Sequence, residues 1–171
     1  MNLNAKPVAV VVGATSKWQS NGKNTRLVHG DDIDDQDLPT GIRWGVGGAI
    51  AQKFAVEGFH VILTTRARVN AEALEAAILE QGNQASIVEL DLISEESIQL
   101  ACQTIRESWG EPEVLVLNAG YLEGRDLPPE MELLEYIPTE IFETAQHISS
   151  RGPFLLAKEI LPGMRKRGSG S

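Results

Sequence analysis

Apolar positions along this chain follow two alternating rhythms. One is the short unbroken run: Val8-Ala9-Val10-Val11-Val12, then His60–Thr65 (HVILTT), residues 86–90 and Val114–Leu117. Runs of this length, rich in β-branched residues, predict strands buried on both faces of a parallel sheet. The other rhythm is the helical stripe. Ile50, Ala51 and Phe54 share one face, as do Leu74, Ala77 and Ile78, and then Ile98, Ala101, Ile105 and Trp109. Punctuation falls between them. Gly58 and Gly82 stop helices, Asn70 and Ser94 stand at N-cap positions, and Gly110-Glu111-Pro112 reads as a turn. Residues 121–137 read as an acidic, proline-containing connection and residues 138–167 as one long helix. Strict alternation of strand and helix predicts an α/β fold of the doubly wound Rossmann type. Its four parallel strands are expected in the order 3-2-1-4, with right-handed crossovers.

The first strand runs into Gly13-Ala14-Thr15-Ser16, and the first helix opens much later with Gly45-Val46-Gly47-Gly48. With residues 17–44 set aside, the halves join as strand, glycine-rich turn, helix and second strand. That is the opening of a dinucleotide-binding βαβ unit. A side chain at Gly13 or Gly45 would block the tight turn, and one at Gly47 would hold backbone N–H groups away from a pyrophosphate. Gly48 is expected to let the helix pack closely on the sheet. Residues 17–44 show no sustained periodicity and read as a loop insert. The expectation is a closed stem, pinned by Trp18 and Trp44, with a body lying as a lid over the pyrophosphate site. There Lys17, Lys23, Arg26 and Arg43 would offer cations to phosphate. Two other readings stay open: a surface excursion without structure, or a break that separates Gly13 from Gly45.

Composition narrows the function classes. The 171 residues make one domain, 1–171, with 42% hydrophobic residues; a net charge of −9 argues against nucleic-acid or anionic-membrane surfaces. The aspartates at 31, 32, 34 and 35 lack the spacing of an EF-hand and read as a solvated charge run; neither they nor His29 suggests a metal site. Cys102, the single cysteine, allows no internal disulfide and falls at a core position of a helix. Arg165-Lys166-Arg167 suits a helix C-terminus. No stretch reads as a signal peptide or membrane span, so a cytoplasmic protein is expected. The end of the second strand reads Thr64-Thr65-Arg66. An acidic residue there would hold ribose hydroxyls and select NAD. Arg66 instead offers a fork of N–H donors to a 2′-phosphate, so NADP(H) is expected to be favoured over NAD(H).

Two motifs resemble the short-chain dehydrogenase/reductase family: the spacing Gly13-x-x-x-Gly45-x-Gly47 once the insert is removed, and Asn118-Ala119-Gly120 after the fourth strand. Val12 stands where that family usually has Thr, and Ser149 where it often has an active-site Asn. The resemblance implies cofactor contacts from Gly13, Thr15, Ser16, Gly45, Val46, Gly47 and Arg66. It also implies that Asp91 and Leu92 border the adenine and that Asn118, Ala119 and Gly120 border the cofactor. The implied activity is hydride exchange between a nicotinamide dinucleotide and a small carbonyl or alcohol, and the helix around Gly152–Lys158 is a frequent dimer surface, implying a homo-oligomer. The family's catalytic Ser and Tyr-x-x-x-Lys have no counterpart in residues 1–171. Tyr121 and Tyr136 lack a lysine four residues on, and Phe154, which has Lys158, carries no proton to transfer. No catalytic residue is therefore assigned. The expectation is the cofactor-binding portion of an enzyme, interrupted before its fifth strand; the alternative is a non-catalytic dinucleotide-binding or regulatory module.

Overall fold

The computed structural model describes residues 6–15, 44–120 and 133–171. Residues 17–43 of the insert, with the lid expected of them, lie outside the described residues. In chain order the elements are β1 (Val8–Val12), α1 (Gly45–Val56), β2 (His60–Thr65), α2 (Glu72–Glu80), β3 (Gln84–Glu89), α3 (Glu95–Trp109), β4 (Val114–Leu117), α4 (Thr139–Gln146) and α5 (Gly152–Arg167). The strands form one parallel sheet in the order β3-β2-β1-β4, as expected.

The period-2 geometry of the strands divides the core in two. Val8, Val10, Val12 and Ile62 face a layer built from α3 and α5, with Ile98, Ile105, Leu156 and Ile160. Val11, Val61 and Leu63 face α1 and α2, with Ala51, Ala55, Leu74 and Ile78. Every residue of β1 is 2% exposed or less, which is why the run has no polar member. Ser94 caps α3 as expected, its hydroxyl accepting from the Ser97 N–H at 3.1 Å, a contact worth about 1 kcal/mol.

Several expectations need correction. Asn70 does not cap α2. It closes a 3-10 turn, Arg68–Asn70, and Ala71 holds the cap position, because the Asn70 carbonyl is drawn toward Thr15. The third strand starts two residues before the apolar run, at Gln84, since ladder pairing with His60 extends it. In α1 the deepest stripe is Gly47, Gly48, Ala51 and Ala55, with Ile50 and Phe54 at its margin. Residues 138–167 are not one regular helix: a π turn, His147–Arg151, joins α4 to α5. The wider turn keeps Ile148 on the buried side with Gly152, Leu156, Ile160 and Met164.

β4 is half-buried, and two backbone hydrogen bonds tie its far edge to Ser171. Ser171 N–H donates to the Glu113 carbonyl at 3.0 Å, and Leu115 N–H donates to the Ser171 carbonyl at 2.8 Å. Among the described residues no helix is long and apolar enough to cross a membrane.

Candidate functional site

In a parallel sheet all strand ends of one kind lie on one edge. Here the carboxyl ends of β1, β2, β3 and β4 bring together Gly13–Thr15, Arg66, Asp91–Leu92 and Asn118–Gly120. Strand order reverses between β1 and β4, and the crevice at such a switch point is where open α/β sheets bind ligands.

The two halves of the glycine turn meet there. Gly13 and Gly45 take φ of 74° and 67°, left-handed values that a side chain disfavours. A Cβ added at Gly13 would lie 2.6 Å from Ala119 Cα. One added at Gly47 would collide with the Gly13 carbonyl oxygen and lie 2.7 Å from Asn118 Nδ2 and 2.8 Å from the Ala14 carbonyl oxygen. The break therefore does not separate the halves: α1 starts directly against the turn that ends β1. A side chain at Gly47 would thus meet the turn itself.

Three polar contacts lock this arrangement. Asn118 Nδ2 donates to the Gly13 carbonyl at 2.9 Å, Asn118 N–H donates to the Val12 carbonyl at 3.0 Å, and Ala14 N–H donates to the Thr64 carbonyl at 3.2 Å. Thr15, 8% exposed, donates its hydroxyl to the Asn70 carbonyl, so that side chain ties the turn to the entrance of α2. Ser16 lies outside the described residues. Among the described residues the first turn of α1 has no acidic residue and no side-chain cap, with Val46 exposed beside it. Its N–H groups and the positive end of the helix dipole are thus left for an anion.

Gly48 does not pack on the sheet, as expected of it, but under Trp44. An added Cβ would overlap Trp44 Cβ and lie 3.3 Å from Trp44 Cγ and 3.5 Å from Leu74 Cδ2. Trp44 is 7% exposed and belongs to the core cluster of Val11, Ala14, Ala51 and Leu74. Closing the turn through residues 14–44 rather than through three residues costs about 2 kcal/mol of loop entropy. Truncating a buried Trp typically loses about 3–5 kcal/mol, so the indole's packing outweighs that closure term. Sequence reasoning placed Trp44 in a loop stem; the Gly four residues on was the available signal for a ring lying over the first helical turn.

Two arginines follow β2, and they differ. Arg68 is committed: its guanidinium reaches Glu75 at 3.4 Å and the Ile87 carbonyl at 3.5 Å, while its N–H donates to Glu89 at 2.9 Å. Arg66 is exposed and makes no hydrogen bond or ion pair among the described residues. Asp91 is held within its own loop, its Oδ1 accepting from the Ile93 N–H at 3.0 Å and its backbone N–H donating to Ser97 Oγ at 2.9 Å. Leu92, 6% exposed, abuts α5: a Cβ on Gly152 would lie 2.7 Å from the Leu92 carbonyl oxygen. Ser149 sits exposed in the π turn. No cluster of three or more His, Cys, Asp or Glu able to hold a metal ion occurs among the described residues.

Known proteins match this geometry. A family model described as enoyl-(acyl carrier protein) reductase, of the short-chain alcohol dehydrogenase type, matches residues 41–171 and so begins just before Gly45. The chain is 33% identical over 133 residues to a fatty acyl-CoA reductase of Acinetobacter baylyi, covering 78% of this chain and 43% of that protein. To an uncharacterized oxidoreductase of Bacillus subtilis it is 29% identical over 133 residues, covering 78% and 49%. The chain thus spans about half the length of the relatives it matches. The crystal structure of a metagenomic short-chain oxidoreductase in complex with NADP superposes with a TM-score of 0.72 at 24% identity, covering 97% of this chain and 60% of that one. The fold, the strand order, the rebuilt glycine turn and the match over 41–171 agree, and the chain belongs to the short-chain dehydrogenase/reductase family.

Proposed function

We propose that the carboxyl edge of the sheet binds a nicotinamide dinucleotide, NADP(H) in preference to NAD(H). In this reading the chain is the cofactor-binding portion of an oxidoreductase acting on a carbonyl or alcohol. The observation that carries it is the seating of Gly47 against Gly13, which presents the uncapped start of α1 at the switch point. The backbone of Gly13, Gly45, Val46 and Gly47, with Thr15 beside it, frames the pyrophosphate; Ser16 is assigned to the same contact from its place in the motif. Arg66 reaches the 2′-phosphate, Asp91 and Leu92 border the adenine, and Asn118, Ala119 and Gly120 line the cofactor's path past β4. Bound cofactor supplies the hydride chemistry; the residues here bind and orient it. NADP in the similar metagenomic oxidoreductase supports the reading, as does the contrast between Arg68, which reaches Glu75, and Arg66, which has no partner among the described residues.

The test is to measure dissociation constants for NADPH and NADH in the parent and in Arg66→Asp. Each charge-assisted bond to the 2′-phosphate contributes about 1.5–3 kcal/mol, so the parent favours NADPH by about tenfold or more and the variant loses that preference. Equal affinities in the parent, unmoved by the substitution, would sink the NADP(H) assignment.

A second reading is a dinucleotide-binding module without chemistry of its own: within residues 1–171 no tyrosine has a lysine four residues on to assist proton transfer. Absence of carbonyl reduction by a protein that binds NADPH would favour it.

A further inference from the structure

The geometry points to Trp44 as a latch that makes one phosphate turn out of two separated pieces of chain, a positioning residue acting on Gly45–Gly47. The part of this inference that concerns cofactor binding rests on the dinucleotide reading above. In an uninterrupted turn, covalent continuity sets where the helix begins. Here residues 14–44 intervene, so the start of α1 must be placed by noncovalent contacts on either side of it.

One such contact is Gly47 against Gly13 and Ala14. It prevents α1 from moving closer to the turn but does not stop it from moving away. The second is Trp44, directly before Gly45. Its backbone holds the cap position of α1 at φ −88°, and its ring lies in the core with Ala14 from the first half of the turn and Ala51 from the helix. It therefore shares one buried cluster with both pieces that have to stay together. The indole N–H is buried without a hydrogen-bond partner among the described residues. A buried donor left unpaired is unfavourable, so the position is held by the shape and apolar area of the ring. Gly48 completes the arrangement, because any side chain there would evict the indole.

Trp44→Ala and Trp44→Phe, each in the whole protein, test the latch by two readouts. The first needs no ligand: amide hydrogen exchange in the free protein at residues 48–52, the first amides of α1 bonded within the helix. In Trp44→Ala these amides exchange about tenfold faster while those of β1, β2 and β4 keep their protection, and Trp44→Phe lies between. The second separates two ends of the ligand. Trp44→Ala raises Kd for NADPH about tenfold and leaves Kd for adenosine 2′-monophosphate, which has no pyrophosphate, within about twofold. Unchanged exchange at residues 48–52, or a uniform rise across the sheet, would overturn the latch. Equal weakening of both ligands would also overturn it, as loss of general stability. If the parent binds neither NADPH nor NADH, the cofactor reading fails, and the exchange experiment alone still decides on Trp44.

Discussion

Asn118 donates its side-chain amide to the Gly13 carbonyl at 2.9 Å across 105 residues of chain. The bond joins the ends of the two strands that flank the switch point, so it fixes the width of the crevice between them. Asn118→Ala is expected to lose about 1–2 kcal/mol in urea unfolding. Asn118→Asp sets a carboxylate against a carbonyl oxygen and loses more at pH 7. It recovers toward pH 4, where a protonated carboxyl can donate. Identical losses for the two variants at both pH values would refute this role.

Gly47 has no room for a methyl group, since the Cβ would sit 2.7 Å from Asn118 Nδ2 and 2.8 Å from the Ala14 carbonyl oxygen. Gly47→Ala is expected to destabilise by about 1–3 kcal/mol through overpacking. It should also abolish NADPH binding at concentrations that saturate the parent. At Gly120 an added Cβ meets nothing within 4 Å among the described residues, and Gly120→Ala is expected to stay within about 0.5 kcal/mol of the parent. Thermal and urea unfolding of the pair decide the matter.

His60 begins β2 with its ring 5.5 Å from that of Trp109 and its Nε2 2.9 Å from Ser86 Oγ. Burial, and secondarily the positive charge of Lys6, hold its pKa below the ordinary 6.5, against a hydrogen bond with Gln84 that works the other way. The unfolded chain therefore takes up a proton that the folded one resists. Stability from neutral His60 is complete above pH 6.5 and declines as pH falls from there through the folded pKa. Urea midpoints measured between pH 7.5 and pH 5 should fall further for the parent than for His60→Gln. Parallel curves would argue against the shift.

Cys102 is 1% exposed, and burial lifts its thiol to about 11. It is expected to resist thiol-directed alkylation in the folded protein and to react at the rate of global opening, rising with urea in step with unfolding. Rapid labelling without denaturant would show a more open α3–α5 layer than the one described.

Much of the fold was legible because its signals are local and repeat. Val8–Val12 announces a strand buried on both faces, Ser94 announces a helix start, and strict alternation forces a parallel sheet whose carboxyl edge collects the candidate site. The errors fall where a residue's partner is distant in sequence. Asn70 resembles a cap because its type suits one. Its carbonyl instead receives the Thr15 hydroxyl, 55 residues away, and helix α2 starts one residue later. Gly48 resembles a helix–sheet contact because glycines after such turns often are. Its true neighbour is an indole that an uninterrupted turn would not contain. Arg66 and Arg68 look alike in the sequence; only the positions of Glu75, Glu89 and the Ile87 carbonyl separate them.

The latching of α1 by Trp44 also makes the region between Ser16 and Trp44 a graft point. Each doubling of a connection adds only about 0.6 kcal/mol of closure entropy. A whole foreign domain could therefore be spliced in, provided its two termini emerge close together. If that domain rearranged on sensing a signal and drew its termini apart, the strain would fall on the junction of Ala14 with Trp44. Cofactor occupancy would then report the signal, with no change to any residue that touches the nucleotide.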